Sequence, residues 1–235
     1  MKGKAVVLTG AEHHHLSKVV RHKPKDVIWL FDEGGAKYKA RIDDISTEET
    51  RLTVLERIED TRPKTKVTLA QALLKGKSMD FVVHKAVELG IFGLIPVVAA
   101  RSVVKIEERS EKKIERWTKI ALEASKQCQS GLTLRIAAPI KLADFLRETT
   151  RAPLKIVLSK NADLYLKDLI TSPDCRSAAA SEMILLVGPE GGWTPEEERK
   201  IMDSGFKSAS LGKNILRAET ASLAAAAILL HFWNW

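Results

Sequence analysis

Cysteines and long apolar runs are both scarce in this chain. Cys128 and Cys175 are the only cysteines among 235 residues, and their spacing is not that of metal ligands. Two such cysteines indicate free thiols rather than a disulfide framework. The longest apolar run, Ala221 to Phe232, is too short to cross a bilayer and is interrupted by Ser222 and His231. We therefore expect no membrane partner.

Secretion signals and the common nucleotide-binding motifs are also missing. Met1-Lys2-Gly3-Lys4 has no apolar signal core behind it, which favours a cytoplasmic location. The chain contains neither a Walker A sequence nor a Gly-x-Gly-x-x-Gly sequence. The consecutive residues His13, His14 and His15 do not share a helix face, so we predict no metal site there. A structural histidine, or one that contacts RNA, fits this position better.

Positive charge exceeds negative charge, and the excess is unevenly distributed. The formal net charge is +8, and residues 1–62 carry 12 basic and 11 acidic side chains. Five basic and no acidic residues lie between Arg62 and Lys77. A concentrated basic segment favours a nucleic-acid partner, although a basic enzyme without such a partner has the same composition.

The first 62 residues predict a small β-barrel. Val27–Phe31 has the composition of a strand, Asp32-Glu33-Gly34-Gly35 that of a hairpin turn, and Tyr38–Ile42 and Arg51–Glu56 alternate as strands do. Glu12–Arg21 is a candidate for a short helix. Asp60–Lys64 has the composition of a linker, so we place a domain boundary after residue 62.

Residues 66–235 predict a mostly parallel α/β sheet, because apolar strands alternate with helical segments. The expected strands are 67–73, 94–98, 154–158, 183–187 and 208–211. The expected helices are 79–89 with Ser78 as its cap, 111–128, 142–146, 164–170, a helix after Thr194, and 219–231, while 172–181 is expected to be a surface loop. The final helix is apolar almost all round, which indicates a subunit interface or a central core helix.

Two loops of this domain have the features of a binding site. Gly188-Pro189-Glu190-Gly191-Gly192 follows an apolar strand and precedes a helix, for which Thr194, Pro195 and Glu197 predict a capping box. Taken alone, the glycine segment is equally well explained as a tight turn. The segment 211–221 also follows a strand, so both loops are expected at the carboxyl edge of the sheet, where such folds bind ligands. Backbone amides and apolar side chains there suit a flat base and a thioether better than phosphates.

These residues resemble the RsmE family, the 16S rRNA (uracil-N3)-methyltransferases of the SPOUT superfamily. The resemblance covers nearly the whole chain. It rests on His14-His15-Leu16, Leu69-Ala70-Gln71-Ala72-Leu73 with Lys75, Glu88-Leu89-Gly90, Arg101-Ser102-Val103-Val104, Gln127-Cys128, Leu186 to Gly192, Leu211-Gly212, and Ile215-Leu216-Arg217 with Glu219-Thr220-Ala221. The pattern departs from the family at Gln129-Ser130, where a Gly-Arg pair is usual.

The resemblance implies a PUA-like RNA-binding barrel in residues 1–62 and a SPOUT domain with a deep trefoil knot in residues 66–235. It implies a homodimer, and a reaction that uses S-adenosyl-L-methionine to methylate N3 of a uridine in 16S rRNA of the small ribosomal subunit (m3U1498). No metal is expected. The expected cofactor-binding residues are Leu158, Gly188, Pro189, Glu190, Gly191, Gly192, Leu211, Gly212, Ile215 and Leu216.

Two charged residues are the candidates for catalysis. Arg217 is expected to stabilise negative charge on the uracil ring, with a phosphate anchor or a salt bridge to Glu190 or Glu219 as alternatives. Glu219 is expected to accept the N3 proton, with stabilisation of a helix N-terminus as its alternative.

The candidates for RNA phosphate contacts are Arg21, Lys75, Lys85 and Arg101, for which solvated surface charge is the alternative. Two other functions stay open. One is methylation of a different RNA base or ribose, which the Gln129-Ser130 departure allows. The other is a non-catalytic role in RNA binding or ribosome assembly.

Overall fold

A computed structural model describes residues 3–32, 36–58, 65–102, 110–128, 134–149, 152–178 and 182–234. The chain forms two compact units, Met1–Arg62 and Pro63–Trp235. Several predicted features lie outside the described residues. They are Glu33-Gly34-Gly35 of the hairpin turn, the linker around Asp60–Lys64, Val103-Val104, and Gln129-Ser130.

The N-terminal unit contains a four-stranded antiparallel sheet with the order β1-β4-β3-β2. Its strands are β1 (Ala5–Thr9), β2 (Val27–Phe31), β3 (Lys37–Ile45) and β4 (Glu49–Arg57). Ala40, Ile42 and Leu52 point to one face and are completely or almost completely buried, together with Leu16. The predicted alternation of strands is confirmed, whereas closure of this sheet into a barrel stays a prediction.

The helical segment of this unit differs from the predicted helix over residues 12–21. Helix α1 (Gly10–His14) continues directly into a π-helix (His15–Val19). Arg21 has a φ of +60° and therefore cannot extend the helix.

His13 is the buried member of the histidine run. Its Nδ1 lies 2.8 Å from Thr50 Oγ1, and its Nε2 lies 3.3 Å from the Thr47 carbonyl oxygen. Since both ring nitrogens have partners within the unit, a structural role is the correct interpretation for His13, whereas His14 and His15 are exposed.

The C-terminal unit is built on a parallel sheet with the order β11-β9-β10-β5-β6-β7, and β8 also pairs with β6. Its strands are β5 (Lys66–Ala72), β6 (Gly93–Val98), β7 (Arg135–Ile136), β8 (Ile140–Lys141), β9 (Leu154–Leu158), β10 (Glu182–Val187) and β11 (Lys207–Ala209). Its helices are α2 (Ser78–Glu88), α3 (Ser110–Gln127), α4 (Leu142–Glu148), α5 (Leu166–Thr171), α6 (Pro173–Ala178), α7 (Pro195–Asp203) and α8 (Ala218–Asn234). The prediction of a parallel α/β fold is confirmed.

Helices cover both faces of this sheet, which explains why its strands are apolar without interruption. Leu69 and Leu185 pack into a large core with α2, α3, α5, α6 and α8. The neighbouring residues Ala70 and Leu186 point to the opposite face, where they pack with α4, α7 and Trp193. The central strands are therefore buried on both sides.

Two local predictions were wrong. Ser78 is the first residue of α2 rather than its cap, since Lys77 occupies the cap position and makes no side-chain capping bond. Residues 172–181 are not a loop throughout, because Pro173–Ala178 forms helix α6. Proline is favoured in the first turn of a helix, and the side chain of Cys175 is completely buried in the core.

Helix α8 combines a buried face with an exposed apolar one. Ser222, Ala225 and Leu229 are completely buried, whereas Ile228 and Phe232 are 40% and 38% exposed. The helix is therefore a core helix on one side only. Among the described helices, none is long and apolar enough to span a membrane.

Candidate functional site

The site lies at the carboxyl edge of the C-terminal sheet. Strands β11, β9 and β10 are neighbours and run parallel, so the loops that follow them meet at one edge. Together these loops enclose a cavity of about 830 Å³. The predicted proximity of the 188–192 and 211–221 segments is confirmed.

All ten predicted cofactor-binding residues line this cavity: Leu158, Gly188, Pro189, Glu190, Gly191, Gly192, Leu211, Gly212, Ile215 and Leu216. Ile215 is 83% exposed, which is unusual for an isoleucine in an ordered loop. The two loops therefore present both apolar side chains and backbone groups to the same space.

The glycine segment is shaped by close contacts and by one tight turn. Gly192 has a φ of +67°, and its N–H donates to the Pro189 carbonyl oxygen at 2.9 Å. A Cβ atom on Gly188 would lie 3.1 Å from Trp193 Cε2, and one on Gly191 would lie 3.2 Å from Arg101 Cβ. Glycine at positions 188 and 191 thus avoids tight contacts with neighbouring side chains, and glycine at 192 suits the left-handed backbone conformation.

Helix α7 begins immediately after the glycine segment, and its predicted capping box is confirmed. Thr194 Oγ1 accepts a hydrogen bond from the Glu197 N–H, and Glu197 Oε2 accepts one from the Thr194 N–H. The second carboxylate oxygen, Glu197 Oε1, accepts a 2.7 Å hydrogen bond from the Ala100 N–H. Glu197 therefore joins the start of α7 to the loop after β6.

Arg101 and Glu190 attach the glycine segment to other loops. Arg101 Nη1 donates to the carbonyl oxygens of Gly191 and Trp193 at 2.8 and 3.2 Å. Glu190 Oε1 accepts a 2.9 Å hydrogen bond from the Lys75 backbone N–H, in the loop after β5. Both side chains thus hold the segment in place, in addition to any contact with a ligand.

The four predicted RNA-contacting residues do not all converge on the cavity. Arg101 lines it, whereas Lys75 is linked to it through the backbone bond to Glu190. Lys85 lies in α2 and forms a 2.6 Å ion pair with Glu88. Arg21 belongs to the N-terminal unit and is exposed.

Arg217 and Glu219, the two candidates for catalysis, both line the cavity at the start of α8. The Arg217 carbonyl oxygen accepts from the Ala221 N–H at 2.8 Å, which closes the first turn of the helix. Arg217 is exposed, and in the described part of the chain it makes no ion pair with Glu190 or Glu219. The guanidinium group is therefore available at the mouth of the cavity.

Sequence reasoning missed the contribution of the loop after β9. Ser159, Lys160 and Asn161 also line the cavity, as does Glu198 of α7. Ser159 Oγ donates to Glu198 Oε1 at 3.0 Å. The available signal was that β9 is a predicted parallel strand whose carboxyl end must reach the same edge as its neighbours.

Metal ligands are not grouped anywhere in the described ranges, where no cluster of three or more His, Cys, Asp and Glu side chains is suited to a metal ion.

Comparison with known proteins matches each of the two units to an RNA methyltransferase family. An RNA methyltransferase domain family matches residues 61–230, and an RNA methyltransferase PUA domain family matches residues 8–55. Ribosomal RNA small subunit methyltransferase E of Synechocystis sp. is 34% identical over 231 residues, covering 94% of this chain and 71% of that protein. The protein of the same name from Mesomycoplasma hyopneumoniae is 33% identical over 218 residues, covering 92% and 90%.

Two solved structures of methyltransferases are similar to this chain over nearly its whole length. Ribosomal RNA small subunit methyltransferase E from Neisseria gonorrhoeae, bound to S-adenosyl methionine, has a TM-score of 0.87 and 31% identity, covering 99% of this chain and 94% of that one. A putative methyltransferase from Legionella pneumophila, in complex with the same cofactor, has a TM-score of 0.83 and 29% identity, covering 99% and 93%. The chain described here belongs to the ribosomal RNA small subunit methyltransferase E (RsmE) family.

Proposed function

We propose that this protein methylates N3 of a uridine in 16S rRNA of the small ribosomal subunit, at the position designated 1498 (m3U1498), with S-adenosyl-L-methionine as the methyl donor. Membership of the RsmE family supports the reaction. The observation that carries the proposal is that the two predicted loops enclose one cavity with Arg217 and Glu219 at its edge.

The residues of the cavity fit this cofactor. Its volume of about 830 Å³ accommodates a nucleoside with an amino-acid tail. Leu158, Leu211 and Leu216 offer apolar surface to the adenine base and to the carbon atoms around the sulfonium, while the backbone of the glycine segment offers amide edges. When bound, the cofactor supplies a methyl group that is already activated on a sulfonium, so no metal is needed for the transfer.

Arg217 is the residue that we expect to stabilise the reacting uracil. The N3–H of uridine is a weakly acidic imide, and negative charge spreads to O2 and O4 when the proton leaves. A guanidinium keeps its charge at any physiological pH and donates in a fixed fork geometry, so it is suited to these oxygens. Contact with an RNA phosphate is the competing role for the same exposed group.

Glu219 is the acidic candidate that we propose as the proton acceptor. It lies in the first turn of α8, two residues after Arg217, and it lines the cavity. A carboxylate in a first turn also stabilises the helix through the dipole. Replacement by glutamine removes both roles, so a loss of turnover without a loss in the free energy of unfolding identifies Glu219 as the proton acceptor.

Contact with rRNA is assigned to the N-terminal unit and to basic residues of the C-terminal unit. Arg21, Lys75, Lys85 and Arg101 are the proposed phosphate contacts, and the match of residues 8–55 to an RNA methyltransferase PUA domain supports the assignment. A PUA-like barrel for residues 1–62 belongs to the same proposal. Binding through such contacts must weaken as the salt concentration rises.

We also propose that the C-terminal segment forms a deep trefoil knot. Strand β11 lies beside β9, whereas α8 packs against β10, β5 and α2. The 211–217 connection therefore has to pass the carboxyl ends of β9 and β10. Threading of this connection through the preceding loops accounts for that path.

Association into a homodimer is proposed on the basis of apolar surface. Helices α2 and α8 pack together and leave Phe81 49%, Ile228 40% and Phe232 38% exposed. Replacement of Ile228 by glutamate places a charge on this surface and should convert a dimer into a monomer in analytical ultracentrifugation. A wild-type protein that sediments as a monomer contradicts the proposal.

Nucleoside mass spectrometry tests the proposed reaction. The protein is incubated with labelled S-adenosylmethionine and small ribosomal subunits that lack the modification, and the rRNA is then digested. Labelled N3-methyluridine supports the proposal, and a different methylated nucleoside identifies another RNA target. Absence of transfer with the cofactor still bound favours a non-catalytic RNA-binding role in the cytoplasm, where the proposed substrate is assembled.

A further inference from the structure

A buried pair of polar side chains, Gln71 and Ser222, lies between the two loops of the cavity. Both are 0% exposed. Gln71 is near the carboxyl end of β5, in register with Val187 of β10, which immediately precedes the glycine segment. Ser222 lies one turn into α8, after the residues that carry the proposed catalytic groups. Apart from Thr65, they are the only buried polar side chains in the described part of the C-terminal unit.

The side-chain amide of Gln71 contacts both the glycine segment and helix α8. Its Nε2 donates to the Ala72 carbonyl oxygen at 3.0 Å and lies 3.4 and 3.5 Å from the carbonyl oxygens of Gly188 and Val187. Its Oε1 accepts a hydrogen bond from the Ser222 hydroxyl. The NH₂ group rather than the amide oxygen must face these three carbonyl oxygens, and its two protons are distributed among them.

Ser222 continues the connection into the first turn of α8. Its Oγ lies 2.8 Å from the carbonyl oxygen of Ala218, the residue between Arg217 and Glu219. A hydroxyl has a single proton, so this proton is shared between the Gln71 and Ala218 oxygens. One continuous set of hydrogen bonds therefore runs from the Gly188 carbonyl oxygen to the turn that carries Arg217 and Glu219.

We infer that Gln71 and Ser222 are positioning residues, whose hydrogen bonds fix the glycine segment relative to the first turn of α8. The inference rests on the proposed methyl transfer, because it gives the pair the task of holding Arg217 and Glu219 against the cofactor cavity. An apolar pair of the same shape would fill this part of the core and would leave no side-chain polar atom of its own unpaired. What such a pair cannot provide is a directional link between the two segments.

The test compares Ser222→Ala, Gln71→Met and the double variant with wild type, and uses Ser204→Ala as the matched control. Ser204 makes the same hydroxyl bond to the carbonyl oxygen four residues earlier, at 2.8 Å from the Lys200 oxygen, but it lies outside the cavity. We expect Ser222→Ala to lower kcat about 10- to 100-fold, since small displacements of reacting groups have effects of this size. The KM for S-adenosylmethionine should change less than about threefold, and Ser204→Ala should change neither constant.

The double variant separates positioning from stability. Ser222→Ala leaves the buried amide oxygen unpaired and lowers the thermal midpoint, whereas Gln71→Met with Ser222→Ala removes that oxygen as well and recovers part of the loss. The remainder reflects the donor withdrawn from the Ala72 carbonyl oxygen. We expect kcat to stay low in the double variant although its midpoint partly recovers. A kcat that recovers together with the midpoint, or that equals the Ser204→Ala value in every variant, overturns the inference.

Hydrogen exchange provides a readout that does not require turnover. Amides in residues 188–193 and 218–222 should exchange about tenfold faster in Ser222→Ala and in the double variant than in Ser204→Ala. Equal protection in all of these proteins also overturns the inference. If wild-type protein methylates no RNA, the proposed function fails, while the exchange comparison still decides whether the pair links the two segments.

Discussion

Replacement of Gly188 by alanine tests whether the glycine segment is shaped by the indole of Trp193. A Cβ atom there would lie 3.1 Å from Cε2 and 3.2 Å from Nε1 of the indole, both closer than ordinary contacts. The backbone at Gly188 is not left-handed, so the expected effect is steric rather than conformational. The fused ring has less freedom to yield than the end of a flexible chain, because Trp193 is 7% exposed and packs with Ile201 and Phe206.

The expected magnitude follows from this overpacking. Extra methyl groups in a packed core typically cost about 1–3 kcal/mol, and we expect Gly188→Ala to destabilise the C-terminal unit by that amount. Gly93→Ala is the matched control, since its Cβ would meet Thr68 at an ordinary 3.4 Å. We expect that control to change stability by less than about 1 kcal/mol, in either direction.

The free energies of unfolding of Gly188→Ala and Gly93→Ala are measured by urea unfolding of the full chain, followed by far-ultraviolet circular dichroism. Both values are taken from the transition of the C-terminal unit. Trp193→Phe should relieve the clash, so the double variant with Gly188→Ala should be more stable than the sum of the single effects. This double-mutant cycle isolates the steric effect, because Trp193→Phe breaks no hydrogen bond: Trp193 Nε1 has no partner among the described residues. Strict additivity, or a Gly188→Ala protein as stable as wild type, refutes the steric argument.

Three further predictions concern charged groups. Arg217→Ala should reduce kcat about 100- to 1,000-fold with nearly unchanged cofactor affinity by calorimetry, because it removes a donor to developing charge; near-normal turnover excludes that role. Glu190→Ala should speed exchange of the Lys75 amide, whereas Glu190→Gln keeps the acceptor and should not. Hydrogen bonds from Thr53 and Arg41 hold the pKa of Asp43 below its ordinary value of 3.8, so Thr53→Val should raise that pKa in an NMR titration. The stabilising contribution of Asp43 is present above pH 3.8 and is lost as the pH falls through its lower folded pKa, a loss that Thr53→Val should reduce.

The sequence predicted best what depends on local chemistry and on strand order. The run Met183 to Val187 is a strand buried on both faces, and the Thr194 to Glu197 box begins α7, as their compositions indicated. Helix α6 was missed because its short polar residues are typical of loops. The complete burial of the Cys175 side chain depends on tertiary packing, which local composition does not indicate. The π-helix at His15–Val19 has no sequence signal of its own.

The residues that line the cavity were predictable from the sequence, whereas the hydrogen bonds between its loops were not. Leu158, Gly188 and Leu216 were assigned to one cavity because parallel strands end at a common edge. That Arg101 and Glu190 hold the glycine segment was not predictable, because such bonds join loops that are distant in sequence. The same reason hid the Gln71–Ser222 pair, whose members are separated by 151 residues.

The pairing of β5 with β10 determines when the protein can fold during its synthesis. Lys66 pairs with Glu182, so the two central strands are 116 residues apart in the chain. At ordinary translation rates, one edge of β5 stays unpaired for about 6–23 s before β10 is synthesised. During that interval an apolar strand edge is open to neighbouring chains. The polysome is therefore the place where this fold is most exposed to aggregation, and chaperone binding to nascent chains should end once β10 has emerged.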